Sequence, residues 1–196
     1  MKAIYPMVGA SAAACAQNLK SSSFTGTFNG GVTFSSAGAT MNGTSGYLET
    51  QLTPNIVFGD EKVSFSTYIS DNSSGILIGC VSPFTFDWRF NGFAAAYNND
   101  GPEVIAQKNG LAIVNRNNIT ELEYKLNNES IQVKTNNYIA RSTSSFNIGR
   151  LSSLGFYANG TFSFAHIGEN LSNQNQTDLY NLVQTFQISL NRSVAP

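Results

Sequence analysis

The chain has 196 residues, of which 12% are charged, about half of the roughly 25% found in average soluble domains. Eleven basic and twelve acidic residues leave a formal net charge of −1, which argues against a basic nucleic-acid-binding surface and against a charged coiled coil. An aromatic content of 12% is ample for a core and excludes a disordered chain, so we expect one globular domain spanning residues 1–196 that binds no nucleic acid.

The N-terminal segment begins like a secretory signal, with Lys2 followed by apolar residues. Pro6 and Gly9 interrupt that run, whereas a signal needs a continuous apolar segment of about 7–15 residues. We therefore expect this segment to belong to the fold. No stretch approaches the roughly 18 consecutive apolar residues of a membrane helix, so membrane insertion is not expected.

The two cysteines, Cys15 and Cys80, lack the spacing of a structural zinc site. We expect two small buried side chains, and a single disulfide between them stays open as the alternative.

Most of the chain alternates with a period of two residues, which is typical of β-strands with one buried and one solvated face. In residues 63–70, Val63, Phe65 and Ile69 share one face and the serines share the other. The same pattern recurs in three further segments: 84–90, where Trp88 shares a face with three Phe residues; 121–126, where Leu122, Tyr124 and Leu126 alternate with charged residues; and 161–166, where Phe162, Phe164 and His166 share a face.

Turn-forming pairs separate these segments every ten to fifteen residues, and Asn and Gly tolerate the positive φ of tight hairpin turns. They include Asn29-Gly30, Asn42-Gly43, Asn91-Gly92, Asn109-Gly110 and Asn159-Gly160. This spacing predicts an antiparallel sandwich or barrel.

One segment near the C-terminus has helical periodicity instead. Apolar residues at intervals of three and four predict an amphipathic helix over about 173–190, with Ser172 as its N-cap. We expect this helix to pack on the sandwich edge, with contact to a neighbouring subunit as the alternative. The residues on its predicted apolar face are Leu179, Leu182, Val183, Phe186 and Leu190.

The acidic residues do not form a recognisable catalytic pattern. Glu121 and Glu123 are an alternating pair on one strand face, but Lys125 stands where a third acid would be needed for a glucanase-type site. His166 is the sole histidine, and we expect it to be a hydrogen-bonded core or edge residue because no nucleophile elbow accompanies it. We therefore predict no enzymatic activity and no catalytic residues.

No metal or cofactor site is predicted. Asp71-Asn72 and 98–101 carry oxygens that suit calcium, but both segments are first of all typical turns. Trp88 is the natural platform for stacking a sugar ring, but its alternation with phenylalanines places it on the buried face.

Three blocks of the sequence resemble a concanavalin A-like (laminin G-like) jelly-roll domain that recurs in virion proteins of tailed bacteriophages and other large viruses. They are residues 4–9 with 18–20, residues 34–39 with 42–50 and 52–54, and residues 164–172 with 179–187 and 190–192. In the second block, Asn42-Gly43 predicts a turn into a strand on which Tyr47 and Glu49 share one face and Leu48 and Thr50 share the other. The third is similar to the family pattern A-x-I-G-x-G-L-T/S followed by L-Y-x-x-V-Q-x-F-Q-x-x-L-x-R, with Glu169-Asn170 as a departure where the family has Gly.

The resemblance implies a jelly-roll sandwich of two antiparallel sheets, with one C-terminal helix. It further implies a non-enzymatic structural protein of a bacteriophage virion, a capsid decoration or fibre-type subunit that binds other virion proteins and, by analogy of fold, a host-surface glycan. We expect a homo-oligomer, most simply a trimer. The alternatives are a secreted carbohydrate-binding module and, less favoured, a glycoside hydrolase of the concanavalin A-like class.

Overall fold

The computed structural model describes residues 1–71, 75–81, 87–91, 94–96, 109–135, 141–151 and 155–194, with the backbone alone at 76, 81, 87–91 and 94–96. The strands are β1 (Ala3–Tyr5), β2 (Thr27–Asn29), β3 (Thr33–Ser35), β4 (Gly38–Asn42), β5 (Tyr47–Glu49), β6 (Val63–Ile69), β7 (Ile76–Val81), β8 (Asp87–Asn91), β9 (Ala94–Ala96), β10 (Gly110–Arg116), β11 (Glu121–Leu126), β12 (Gln132–Thr135), β13 (Asn147–Ile148), β14 (Arg150–Leu151), β15 (Phe156–Tyr157) and β16 (Asn159–Gly168). The helices are α1 (Ala12–Cys15), α2 (Pro54–Val57) and α3 (Asn173–Ser189).

The strands form two main antiparallel sheets. One has eight strands, in the order β12-β11-β10-β6-β16-β4-β3, with β1 paired to β16. The other has six, in the order β2-β5-β13-β7-β8-β9, and β14 and β15 form a separate small ribbon. The predicted sandwich of two antiparallel sheets with one C-terminal helix is confirmed.

The main core lies between the two sheets. Phe65 of β6 meets Phe146, next to β13, with ring centroids 5.4 Å apart, so the two sheets are in direct aromatic contact. Both cysteines are buried thiols in this core, as the sequence predicted. The N-terminal segment also belongs to the fold, because β1 pairs with β16 and Met7 is buried.

A second core lies on the outer face of the eight-stranded sheet, beneath α3. Leu179, Tyr180 and Val183 of the helix pack there on four residues of the central strands, namely Tyr68, Leu111, Ile113 and Phe164. The helix therefore covers a sheet face, and the expected position at the sandwich edge is wrong. The physical reason is that β6, β10 and β16 are buried on both faces and need a cover on the outer one.

Burial of this outer face also overturns a second expectation, that the serines of β6 face solvent. Ser64 and Ser66 are buried on the outer face, where both hydroxyls contact the imidazole of His166. The predicted alternation along β6 is present, but the face that was predicted to be solvated is a polar part of the interior.

A β-bulge in β16 corrects the prediction that Phe162 and Phe164 share a face. Phe162 pairs with Ile69 and Phe164 with Tyr68, so Ser163 is an extra residue between them. Phe162 consequently lies in the core between the sheets and Phe164 beneath the helix. Asn159 and Gly160, predicted to form a turn, instead begin β16.

Helix α3 runs from Asn173 to Ser189, within one residue of the prediction, and the hydroxyl of Ser172 accepts a hydrogen bond from the amide of Asn175 (3.2 Å). The predicted apolar face is only partly correct. Leu182 is 70% exposed and Leu190 39% exposed, while two glutamines, Gln176 and Gln187, are buried in their place. No helix in the described part of the chain is long and apolar enough to cross a membrane.

Candidate functional site

The outer faces of the two sheets differ in character. Helix α3 covers that of the eight-stranded sheet, whereas no described helix packs on that of the six-stranded sheet. On β5 of the latter sheet, Leu48 and Thr50 are buried inward while Tyr47 and Glu49 are half-buried, the alternation that the sequence predicts. Tyr47 and Glu49 therefore lie on an outer face that is accessible to a partner.

Asn147 lies on this same face, at the centre of a row of paired residues. Its Cα is opposite Glu49 on one side and Gly79 on the other. Its neighbours Phe146 and Ile148 are both in the core, so the side chain of Asn147 points to the outer face. It is 3% exposed, and its Oδ1 accepts no hydrogen bond from the described residues. A buried amide oxygen in this state favours a hydroxyl donor from a ligand.

Gly149 determines where the next side chain points. Its φ is +82°, and a Cβ there would lie 2.9 Å from Cγ of the buried Met41. Two successive positions, Ile148 and Gly149, therefore face the core, and Arg150 is placed on the outer face. A side chain at position 149 would have to displace the core and adopt a strained backbone conformation.

Arg150 packs against two tyrosines, and we call Tyr47, Arg150 and Tyr157 the tyrosine–arginine cluster. The guanidinium carbon is 4.6 Å from the ring centroid of Tyr47 and 5.3 Å from that of Tyr157. The two rings are 6.2 Å apart and inclined at 50°. Pairing of β14 with β15 puts Tyr157 opposite Arg150, so local hairpin geometry sets this part of the cluster. The arrangement offers aromatic surface, a cation and an amide oxygen on one face.

The carboxylates considered in the sequence are held by amides. Glu123 accepts hydrogen bonds of 2.7 Å from each of three side chains, those of Asn115, Asn117 and Gln176. Glu121 is exposed and accepts one from Asn118 (2.7 Å). Together these bonds join β10, β11 and α3, a structural function for Glu123.

The remaining residues considered in the sequence do not gather at one place. His166 is fully buried between Ser64 and Ser66, as expected of a hydrogen-bonded core residue. Asp71 accepts from the amide (2.8 Å) and hydroxyl (2.7 Å) of Thr161. Within the described ranges, no three His, Cys, Asp or Glu residues are grouped to hold a metal ion.

Two of the sequence predictions fall on residues that the structure describes partly or not at all. Trp88 lies in β8 with its Cα opposite Cys80, but the predicted burial of its side chain lies outside the described residues. The second calcium segment, 98–101, also lies outside them, as does Asn72.

Sequence reasoning placed Tyr47 and Glu49 correctly but missed Asn147, Arg150 and Tyr157. The one available signal was Gly149, because a glycine directly after an apolar strand residue marks a break in alternation. The meeting of Arg150 with Tyr47 carries no sequence signal, since the two residues are about a hundred positions apart.

A second surface cleft is lined by Phe58, Asp60, Lys62 and Glu169 with two neighbouring residues, and its charges are already paired. Lys62 lies 3.9 Å from Asp60, and Glu169 lies 2.9 Å from Lys2. These pairs make the cleft a weaker candidate than the tyrosine–arginine cluster.

Comparison with known proteins identifies a similar solved structure. No family model and no curated protein matches the chain. Among solved structures, the chain is similar to domain 4 of AbnA, a GH43 extracellular arabinanase from Geobacillus stearothermophilus, in complex with arabinotriose. The similarity has a TM-score of 0.56 at 13% identity and covers 91% of this chain and 97% of that domain. This likeness supports the β-sandwich fold, and the resemblance to virion proteins stays a prediction.

Proposed function

We propose that this protein is a non-catalytic carbohydrate-binding module that holds a glycan against the outer face of the six-stranded sheet. The observation that carries the proposal is that two half-exposed tyrosine rings, 6.2 Å apart, lie on the same face as Asn147, whose amide oxygen has no hydrogen-bond partner among the described residues. A sugar ring stacks its C–H face on an aromatic ring and donates its hydroxyls to amide oxygens, so this combination suits a saccharide.

Two further observations support it. The structurally similar AbnA domain is in complex with arabinotriose, an argument by analogy of fold. The low charge content of 12% leaves surfaces rich in Ser, Thr and Asn, which can exchange hydrogen bonds with hydroxyl groups without a large electrostatic field.

A glycan array followed by calorimetry on the best ligand tests this proposal. We expect Tyr47→Ala to weaken binding at least tenfold, because it removes the aromatic surface and one side of the support of Arg150. Asn147→Ala should weaken binding by a smaller factor through loss of the amide acceptor. The matched controls are Asn181→Ala and Leu182→Ala on the exposed side of α3, which should bind like the wild type.

Thermal melts of each variant show whether the fold is intact. If a folded Tyr47→Ala variant bound the glycan with wild-type affinity, the binding site would not lie on this face. An array on which no glycan is retained would reject carbohydrate binding altogether.

The role as a virion subunit is the second proposal, and it is supported by the three sequence blocks that resemble virion proteins, which begin at residues 4, 34 and 164. Weakly charged strand faces suit closely packed copies because they avoid like-charge repulsion. Peptide mass spectrometry of purified particles tests the virion location, and native mass spectrometry tests the trimer. Absence of the protein from particles would exclude this role.

The proposed lack of catalysis has its own test. Incubation with β-glucans and arabinans should release no reducing sugar. Release that disappears in the Glu121→Gln/Glu123→Gln double variant would contradict the proposal and identify a glycoside hydrolase.

A further inference from the structure

Arg150 uses its guanidinium differently from two other arginines of this chain. Arg192 donates to three backbone carbonyls and one side-chain amide oxygen, and Arg116 donates to the carbonyls of Asn118 and Glu121. Arg150 makes no hydrogen bond or ion pair with any described residue, and its Nε is buried without a partner among them. Its donors are therefore not engaged in holding the fold.

The rings of Tyr47 and Tyr157 pack against the guanidinium group of Arg150. Its carbon is 4.6 Å from one ring centroid and 5.3 Å from the other, and these two contacts restrict the position of the group. Pre-positioning of this kind lowers the entropy lost when a ligand forms hydrogen bonds with the group.

The positive charge of Arg150 has no paired carboxylate in the described part of the chain. Glu49 lies on the same face but forms no ion pair with it, and the ion pairs present join Lys2 to Glu169 and Lys62 to Asp60. The face therefore carries a half-buried cation that is available to an anionic ligand.

We infer that the glycan bound at this face is acidic and that Arg150 binds its carboxylate. This rests on the proposed function and names the chemical class of the ligand. A uronic or sialic acid has the planar carboxylate that matches the two-pronged donor geometry of a guanidinium. The sugar ring would stack on Tyr47, and a hydroxyl would donate to Oδ1 of Asn147.

The test compares each acidic glycan with its carboxyl-reduced counterpart, which has the same sugar ring without the charge. We expect wild-type protein to bind the acidic member at least tenfold more tightly, with an affinity that falls as salt is added. Arg150→Gln should remove this preference, so that the acidic glycan and its reduced counterpart bind with affinities within about twofold of each other. Arg150→Lys keeps the charge but not the planar fork. Its preference for the acidic glycan should be intermediate between those of the wild type and Arg150→Gln.

Lys20→Gln is the matched control, since it removes one positive charge at an exposed position elsewhere and should leave the preference unchanged. Equal binding of acidic and reduced glycans, or a preference that survives in Arg150→Gln, would overturn the acidic ligand and leave carbohydrate binding intact. Binding confined to sulfated glycans would overturn the carboxylate assignment. Binding of no glycan in either form would overturn this inference and the proposed function together.

Discussion

The buried imidazole of His166 has a defined hydrogen-bonding state. The hydroxyl of Ser64 donates its proton to the carbonyl of Glu169 (2.7 Å), so its oxygen is left to accept from Nε2–H of His166 (3.4 Å). Ser66 then donates to Nδ1 (3.2 Å). Both ring nitrogens are satisfied in the neutral form, and a second proton on Nδ1 would displace the donor of Ser66.

This arrangement predicts an acid-sensitive stability. Complete burial, helped by the positive N-terminal amine, lowers the pKa of His166 from 6.5 to about 3. Between these values the unfolded chain binds more protons, so the free energy of unfolding decreases as pH falls below 6.5, by about 1.4 kcal/mol per pH unit. Denaturant titrations at pH 7.5 and 5.0 should differ by about 2 kcal/mol more in wild type than in His166→Gln. An equal pH dependence in both proteins would contradict the assignment.

At the scale of the element, α3 serves as the cover of a sheet. Its buried positions recur with helical spacing through Leu179, Tyr180 and Val183, while Phe186 is half-buried with the Arg192 guanidinium 5.7 Å from its ring centroid. Without the helix, Tyr68 and Leu111 on the sheet beneath it would be exposed to water. We therefore expect α3 to be required for the stability of the isolated chain.

Two leucines of the helix that differ in burial test this requirement. Leu179→Ala should lower the free energy of unfolding by about 2–3 kcal/mol, because it removes buried methyl groups from the second core. Leu182→Ala, at a position 70% exposed, should change it by less than about 0.5 kcal/mol. Phe186→Ala should lower the melting temperature by a smaller amount than Leu179→Ala. Equal effects of the two leucine variants would show that the face of the helix is misassigned.

At the scale of the whole molecule, Arg192 connects the two ends of the chain. Its guanidinium donates to the carbonyls of Pro6 (3.2 Å) and Met7 (2.9 Å) near the N-terminus. It also reaches the carbonyl of Ser163 (2.9 Å), at the bulge of β16, and Oε1 of Gln187 in α3 (2.9 Å). Burial lowers the pKa of Arg192, yet the four acceptors hold the charged form. The arginine at the end of the family-like C-terminal motif thus has a structural function.

Removal of this connection should destabilise the fold strongly. Arg192→Met should lower the free energy of unfolding by about 3–5 kcal/mol, because several buried carbonyls lose a charged donor at once. Arg192→Lys should lose less, since it keeps the charge and some donors. Denaturant unfolding measures both, with Lys20→Met as a control at an exposed position. A loss below about 1 kcal/mol in Arg192→Met would show that the connection is dispensable.

Local sequence patterns predicted the elements well. The alternation in 63–70 and 121–126, and the three- and four-residue spacing after Ser172, identified β6, β11 and α3 within a residue or two. These patterns are properties of neighbouring residues, so they can be read without knowledge of distant partners. They narrowed the fold to an antiparallel sandwich or barrel, and the family resemblance selected the sandwich.

The errors share one cause. Ser64 and Ser66 were expected to face solvent because they are polar, yet they are buried against His166, about a hundred residues later in the chain. The opposite faces of Phe162 and Phe164 depend on a bulge that pairing with β6 produces, which neither residue encodes alone. Whether a strand residue is buried depends on what packs on its face of the sheet. The packing partner often comes from a distant part of the sequence, so a local pattern does not reveal it.

The sequence by itself thus determined a weakly charged, alternating chain that forms two antiparallel sheets and one amphipathic helix. The tertiary structure alone decided which outer face the helix covers, and that Arg150 contacts both Tyr47 and Tyr157. The physical reason is that periodicity is set by bonds between neighbouring residues. A binding face, by contrast, is assembled from strands distant in sequence, and their register depends on the packing of the whole core.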